Sequence, residues 1–459
     1  MPKSWAGSGI DLHLDLDTSG GRRTGLERAL RAAIRSGRLA PGDTVPSTRV
    51  LAAQLRLSRG TVTAAYDQLT AEGYLTTVPG SGTKVAEITS APHDAPGARG
   101  AAEPVHNLLP GRPDLSAFPT RAWLRSTRRV LGAAPPEAYA LGDPRGRPEL
   151  REALAVYLGR ARGVHADPDR IVVTSGYAQS LGLLAEVLFD TGTTTIAMEE
   201  PGHPFHREIV RNHGPKIVPL PVDDLGARPE PGLAGAAVLT PAHQYPYGAT
   251  LHPDRRHAFT AWARATGATI VEDDYDGEFR YDRHPVGALQ GMAPGHVVYA
   301  GTTSKTLAPA MRLAWLVLPA HLVEPVTEAK RLADAHTQSL GQLVLADLLG
   351  THAYDRHVRA SRLRYRRRRD LLLAALRDRA PHVRVQGIAA GLHALVLLPD
   401  DGATEPEIVE RATRLGLALL PLRDHWQNPS DRPQGFVIGY STPVGSAYPT
   451  ALDALCRAL

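Results

Sequence analysis

Val297-Val298-Tyr299-Ala300-Gly301-Thr302-Thr303-Ser304-Lys305 is an apolar run that stops at a glycine and gives way to hydroxyls and one lysine. Such a run, closed by a small-residue loop, predicts a buried strand with the lysine carried at its end. Lysine is scarce in this chain and arginine is preferred. A lysine held among small residues loses hydration, its pKa falls, and its free amine can form a Schiff base with a carbonyl. The alternative, a solvated surface lysine, is the ordinary state of a lysine chosen at random.

Outward from this run, β-like segments alternate with helical ones from Asn107 to the C-terminus, at 171–174, 193–198, 236–240, 268–272, 296–300 and 312–318. The alternation predicts an α/β domain around a mostly parallel sheet. Three more constellations fall within it. Ser175-Gly176-Tyr177-Ala178-Gln179 stands between a strand and a helix, where backbone N–H groups and the positive helix end make a phosphate cradle, although many such turns bind nothing. Glu272-Asp273-Asp274-Tyr275-Asp276 sits where a buried strand ends, and carboxylates there need cations, hydrogen bonds or a shared proton. A pyridinium nitrogen is one such partner; a hard metal, Mg²⁺ or Ca²⁺, is the competing one. Arg312, seven residues beyond Lys305, can return to clamp the same phosphate. The histidines show no HExxH-like spacing and point to no metal site.

The 459 residues, 43% hydrophobic and 22% charged, exceed one ordinary domain and exclude both a single bundle and disorder throughout. No stretch approaches about 18 consecutive apolar residues, and Met1-Pro2-Lys3-Ser4-Trp5 has no apolar signal core, so a cytoplasmic protein without a membrane partner is expected. The lone Cys456 excludes an internal disulfide and a Cys-rich zinc site. The net charge is +5, yet ten Arg/Lys face four acids between Arg22 and Ala86, so the excess lies in that segment. A basic module on a near-neutral body points to a polyanion, most simply nucleic acid, against the plainer reading of a solvated surface.

That segment carries Leu26, Leu30, Ala33 and Ile34 at helical spacing, with Gly37 as a stop. Ser47 caps a second helix carrying Val50, Leu51 and Leu55, and Ser58 caps a third with Val62, Ala65, Tyr66 and Leu69. Residues 74–78 and 83–85, around Pro79-Gly80-Ser81-Gly82, predict a hairpin, so the module reads as a winged helix-turn-helix. In such a fold the second of the paired helices enters the major groove with its N-terminal residues. Here that end holds Ser58, Arg59, Thr61 and Thr63; Arg49 points toward the same backbone, and Gly80, Gly82 and Lys84 form the wing. A protein-interaction fold is the alternative. The Ala/Pro/Gly-rich stretch 87–105 predicts a flexible linker, dividing the chain into a reader at 18–86 and a body at 106–459.

Gly37-Arg38-Leu39-Ala40-Pro41-Gly42, Pro46-Ser47-Thr48-Arg49-Val50-Leu51-Ala52, Ser58-Arg59-Gly60-Thr61-Val62 and Ala71-Glu72-Gly73-Tyr74-Leu75 closely resemble the GntR-type winged helix. The body resembles fold-type I aminotransferases through Gly111-Arg112-Pro113-Asp114, Gly142-Asp143-Pro144-Arg145-Gly146, Glu200-Pro201-Gly202, Thr240–Gly248, Glu272–Arg280 and Ser304-Lys305. That likeness implies a body with a smaller C-terminal subdomain, pyridoxal 5'-phosphate (PLP) on Lys305, Asp273 on the pyridine nitrogen and Tyr275 near the phenolic oxygen. It further implies a phosphate site of Tyr177 and Ala178 backbone with Thr302, Ser304 and Arg312. Asp274 is the alternative to Asp273, because the spacing is one residue shorter than in many aminotransferases. The combination resembles the MocR subfamily of GntR-type regulators, which implies double-stranded operator DNA, a head-to-tail homodimer, and PLP or a small amino compound as effector. Two positions depart from the aminotransferase pattern. His203 stands where an aromatic commonly stacks on the cofactor, and the substrate-carboxylate arginine has Arg423 as its nearest counterpart. The expectation is a PLP-dependent transcriptional regulator. Its rivals are an aminotransferase carrying a DNA-binding module and a DNA-binding protein whose body has lost its cofactor.

Overall fold

The computed structural model describes residues 16, 20–78, 82–87, 104–230, 232, 235–281 and 286–459, and the chain divides into two units, Met1–Ala102 and Glu103–Leu459.

In the first unit α1 (Arg22–Arg35), α2 (Thr48–Leu55) and α3 (Arg59–Ala71) precede an antiparallel hairpin of β1 (Leu75–Val78) and β2 (Gly82–Val85). Ser47 and Ser58 act as the helix caps, their hydroxyls accepting from the amides of Val50 and Thr61. Leu26, Leu30, Ile34, Leu51, Val62, Leu69, Leu75 and Val85 close one core from all five elements. Val50 departs from the expected apolar face of α2 and is 41% exposed. On so short a helix the stripe is one turn wide, and Leu51 and Ala52 fill it.

The second unit opens with β3 (His106–Asn107), followed by β4 (Ile171–Thr174), β5 (Thr195–Glu200), β6 (Lys216–Asp223), β7 (Gly226–Ala227), β8 (Ala236–Leu239), β9 (Thr269–Asp273), β10 (Val297–Thr302) and β11 (Ala314–Val317). The last eight form one sheet in the order β4-β11-β10-β9-β8-β5-β6-β7. Its pairings from β10 through β9, β8 and β5 to β6 are parallel, and those at the margins are antiparallel. β4, β8, β9, β10 and β11 are buried along their whole length, which is why they read as unbroken apolar runs. β6 escaped the sequence reading because Pro219 and Pro221 interrupt it. Proline cannot donate to a ladder and normally marks a strand edge.

A C-terminal layer follows: β12 (Arg384–Gln386), β13 (His393–Leu397), β14 (Leu417–Ala418), β15 (Leu420–Pro421) and β16 (Gly435–Gly439). β12, β13, β16 and β15 form an antiparallel sheet in that order, while β14 pairs in parallel with β3. Tyr365, Leu372, Phe436, Ile438, Tyr440 and Leu455 lie in the core of this layer. The helix Ala353–Arg379 carries the densest basic run, yet it turns Tyr354, Val358, Ser361, Tyr365, Arg368 and Leu372 inward. The inward Arg368 donates to Asp114 at 2.6 Å and to the Ser441 and Pro443 carbonyls, so its charge is fully met. Among the described residues no helix is long and apolar enough to cross a membrane.

Candidate ligand cavity and nucleic-acid face

Tyr177, Ala178, His203, Asp273, Tyr275, Thr302, Ser304, Lys305 and Arg312, all singled out in the sequence, line one cavity of about 290 Å³. They come from the C-terminal ends of β4, β5, β9 and β10 and the loops beyond, where open α/β sheets place their ligands. A larger groove of about 660 Å³ lies between helices and is lined largely by Val130, Ala153, Val156, Leu343 and Leu349. Its charged lining residues include Arg147, Glu149, Arg160 and Asp347, which are paired with one another or with other side chains.

At one end of the cavity β4 turns into the helix Tyr177–Asp190 through Gly176, at φ 109° and without a side-chain cap. The amides of Tyr177 and Ala178 are therefore left open to an anion, while that of Gln179 donates to the Gly176 carbonyl. A Cβ on Gly176 would fall 2.7 Å from the Arg312 guanidinium, so Arg312 lies directly over this turn. Arg312 itself holds the left-handed φ of 49°, uncommon for a side chain with a Cβ. Thr302 donates to the Ser304 hydroxyl at 3.0 Å and accepts from the Ser304 amide.

At the other end Lys305 Nζ donates to the Gly111 carbonyl at 2.8 Å. Burial pulls the Lys305 pKa below its ordinary value, with Asp273 and Asp276 opposing. Burial also holds Asp273 well above the ordinary carboxyl range, against the pull of Lys305. The acidic string separates by strand alternation, with successive side chains on opposite faces. Glu272 accepts from the Leu289 and Gln290 amides at 2.7 and 2.8 Å, and Asp274 is held by Arg162 at 2.6 and 3.0 Å and by Tyr299 at 2.7 Å. Asp273 alone of these acids lines the cavity. The string therefore does not converge on a common metal position; instead Asp276 meets His243 at 2.9 Å.

His203 reaches the cavity in a stack, its ring 4.2 Å from that of His206 and 5.5 Å from Tyr245. Its buried Nδ1 has no partner, and burial pushes its pKa down to about 4, so the ring is neutral. Arg423, the expected counterpart of a substrate-carboxylate arginine, is exposed and does not line the cavity. The arginine present beside Arg312 is Arg207, already paired with Glu200 at 3.2 Å and donating to the His425 carbonyl. Gly111, Glu199, His206, Tyr245 and His393 also line the cavity without having been singled out. Glu199 and His206 flank His203 in sequence, His393 arrives from the C-terminal layer, and the glycine and tyrosine sat unread inside the family strings.

On the first unit Arg49, Ser58, Arg59 and Thr63 are exposed along α2 and the start of α3. Arg49, Arg59 and Lys84 have no acidic partner among the described residues. Two hydroxyls expected to donate outward are engaged locally: Thr63 donates to the Arg59 carbonyl at 3.0 Å, and Thr61 shares a hydrogen bond with Ser58 at 2.8 Å. The Thr63 proton is used within the helix, and one proton of the Thr61–Ser58 pair is used between them. Gly82 sits at φ 87°, which favours glycine on conformational grounds. Gly80 lies outside the described residues.

Residues 23–85 match the family of bacterial regulatory proteins, gntR family, and residues 107–415 match aminotransferase class I and II. The chain is 33% identical to the HTH-type pyridoxine biosynthesis transcriptional regulator PdxR of Corynebacterium glutamicum, over 91% of this chain and 92% of that protein. It is 32% identical to the probable rhizopine catabolism regulatory protein MocR of Rhizobium meliloti, over 94% and 92%. Among solved structures, Pyrococcus horikoshii kynurenine aminotransferase matches with a TM-score of 0.70 and 26% identity, over 78% of this chain and 90% of that one. The chain therefore belongs to the MocR-type transcriptional regulators, in which a GntR winged helix-turn-helix is fused to a fold-type I aminotransferase domain.

Proposed function

We propose that PLP occupies the cavity on Lys305 and that this occupancy, by PLP alone or joined to a small amino compound, modulates the binding of operator DNA. The observation that carries the reading is the convergence of Lys305, Asp273 and the Arg312-covered helix end in one cavity. The residues fit such a group. An uncapped helix end and a guanidinium suit a phosphate, a buried carboxyl lining the cavity suits a protonated ring nitrogen, and the orphaned His203 Nδ1 has a polar position to fill.

When bound, PLP supplies an aldehyde carbon that takes the Lys305 amine and can exchange it for another primary amine. The chain's own groups prepare that exchange. Desolvation leaves part of Lys305 uncharged, and the Gly111 carbonyl holds Nζ in place. Asp273 favours the charged ring nitrogen, Tyr275 meets the phenolic oxygen, and Tyr177 and Ala178 amides with Thr302, Ser304 and Arg312 take the phosphate. On the reader, Arg49, Ser58, Arg59, Thr61, Thr63, Gly80, Gly82 and Lys84 form the DNA face of a head-to-tail homodimer whose domains run 18–86 and 106–459, joined by the linker 87–105.

The name of the Corynebacterium relative points to vitamin B6 control and that of the Rhizobium relative to control of small-molecule catabolism. The cavity favours the first. Arg207 is committed to Glu200 and Arg423 lies outside, so a free guanidinium for a substrate carboxylate is missing beside Arg312. The test is binding of the apo-protein to its own upstream intergenic DNA, titrated with PLP at fixed salt. A change in affinity or footprint together with a visible absorbance band is expected. If Lys305→Ala left both unchanged, the reading would be wrong.

A further inference from the structure

His243 and Asp276 stand directly behind Tyr275, and nothing above gives them a role. They are 3% and 2% exposed, with His243 Nδ1 2.9 Å from Asp276 Oδ2. The Tyr275 hydroxyl lies 3.1 Å from the same nitrogen and 3.0 Å from the His243 carbonyl. The contact is built into the backbone. A Cβ at Gly391, which sits at φ +73°, would fall 2.1 Å from His243 Cε1 and 2.5 Å from Asp276 Oδ2, so only glycine admits the pair.

With His393 the two groups make a trio within 4.8 Å, which invites a metal reading. The 2.9 Å separation is that of an ordinary hydrogen bond. Arg369 also lines the small void beside His243 and His393, an unfavourable neighbour for a cation.

A carboxylate only accepts, so the proton between the two groups belongs to His243 Nδ1. That N–H points at the Asp276 carboxylate and, within reach, at the Tyr275 oxygen. Tyr275 then has one proton and two destinations, the His243 carbonyl behind it and the cavity in front. We propose that the Asp276–His243 pair is a positioning device that fixes the imidazole tautomer, feeds an N–H to the Tyr275 oxygen, and lets the Tyr275 proton, donated to the His243 carbonyl in the structure, turn to the phenolic oxygen of PLP. The inference rests on the cofactor reading above. A hydrogen bond donated to that oxygen favours its anionic form, and this lowers the proton affinity of the lysine linkage.

The other titratable groups facing this site are Asp273, Glu199 and Lys305 from the cavity side, Tyr245 and His393 from flanking strands and loops, and Arg369 from the long helix. They are present in every variant below, so they cancel in the comparison. The test is a pH titration of the visible band of the full-length protein loaded with PLP. Asp276→Asn presents an amide N–H to Nδ1 and imposes the other tautomer; His243→Phe keeps the ring shape without any N–H. Both are expected to raise the apparent pKa of the band by about one unit or more. Tyr275→Phe is expected to raise it similarly, and Asp276→Asn combined with Tyr275→Phe to add nothing further.

Unchanged titration in both single variants, or shifts that add in the double variant, would overturn the proposal. Thermal unfolding of each variant checks its fold, and the His243→Phe comparison decides alone should Asp276→Asn unfold. A wild-type protein that gained no visible band with PLP would instead remove the cofactor reading itself.

Discussion

Exchanging one carboxylate at a time in the string Asp273-Asp274 separates a structural acid from a ligand-facing one. Asp274 accepts two bonds from Arg162, at 2.6 and 3.0 Å, and one from Tyr299 at 2.7 Å, all buried. Asp274→Asn keeps the volume but leaves the Arg162 guanidinium as an uncompensated buried charge, a loss of about 3–5 kcal/mol. A body of about 350 residues unfolds with roughly 2.1 cal/mol/K per residue, so the melting temperature should fall by about 4–7 °C. Asp273 has no such cage, and burial already disfavours its charge. Asp273→Asn should therefore change stability by less than about 1 kcal/mol while removing the partner of the ring nitrogen. Calorimetry of the apo variants gives the first quantity, and the visible band on PLP addition gives the second. If Asp274→Asn lost the band and kept the melting temperature, the roles of the two acids would have to be exchanged.

Ser47→Ala and Ser58→Ala should each cost the reader about 1 kcal/mol, read from the denaturant midpoint of its unfolding. His425 is buried against the Pro421 carbonyl and Tyr245, and burial holds its pKa down at about 4. A histidine whose folded pKa is depressed stabilises fully above its ordinary 6.5, and the gain is lost as pH falls toward 4. His425→Gln should accordingly flatten the acid limb of melting temperature against pH between those values. Lys84→Gln should reduce the slope of log affinity against log salt by about one, with sequence preference unchanged, as the loss of one phosphate contact requires.

The parts of this protein that were legible in the sequence are those whose causes are local. Ser47 and Ser58 announce α2 and α3 because a cap is written within three residues of the amide it serves. The cavity residues Tyr177, Asp273, Lys305 and Arg312 could be named because each sits in a motif at its own strand end. The choice between Asp273 and Asp274 needed the register of β9. The strand runs to Asp273, one residue beyond the expected end, and alternation turns Asp274 toward Arg162 on the helix Pro148–Arg162. Gly111 stood in a short family string whose role in the cavity was not read, and His393 arrives from the C-terminal layer, where nothing within a short window announces it. Arg423 was chosen by its place in the chain, and the fold turns it outward; Arg207 was passed over, and the fold brings it in. Pro219 and Pro221 hid β6 because a local rule about edges was overridden by the sheet around it.

The two-residue parallel ladder between β3 and β14 has a mechanical consequence. β3 is the first strand of the second unit, and its partners, Leu417 and Ala418, belong to the C-terminal layer. The backbone bonds that hold this entry run from His106 to Gly416 and from Leu108 to Ala418. A pull applied at the N-terminal end of the second unit would therefore load this ladder before the eight-stranded sheet. In a pulling experiment this short clamp is the first element of the body under load.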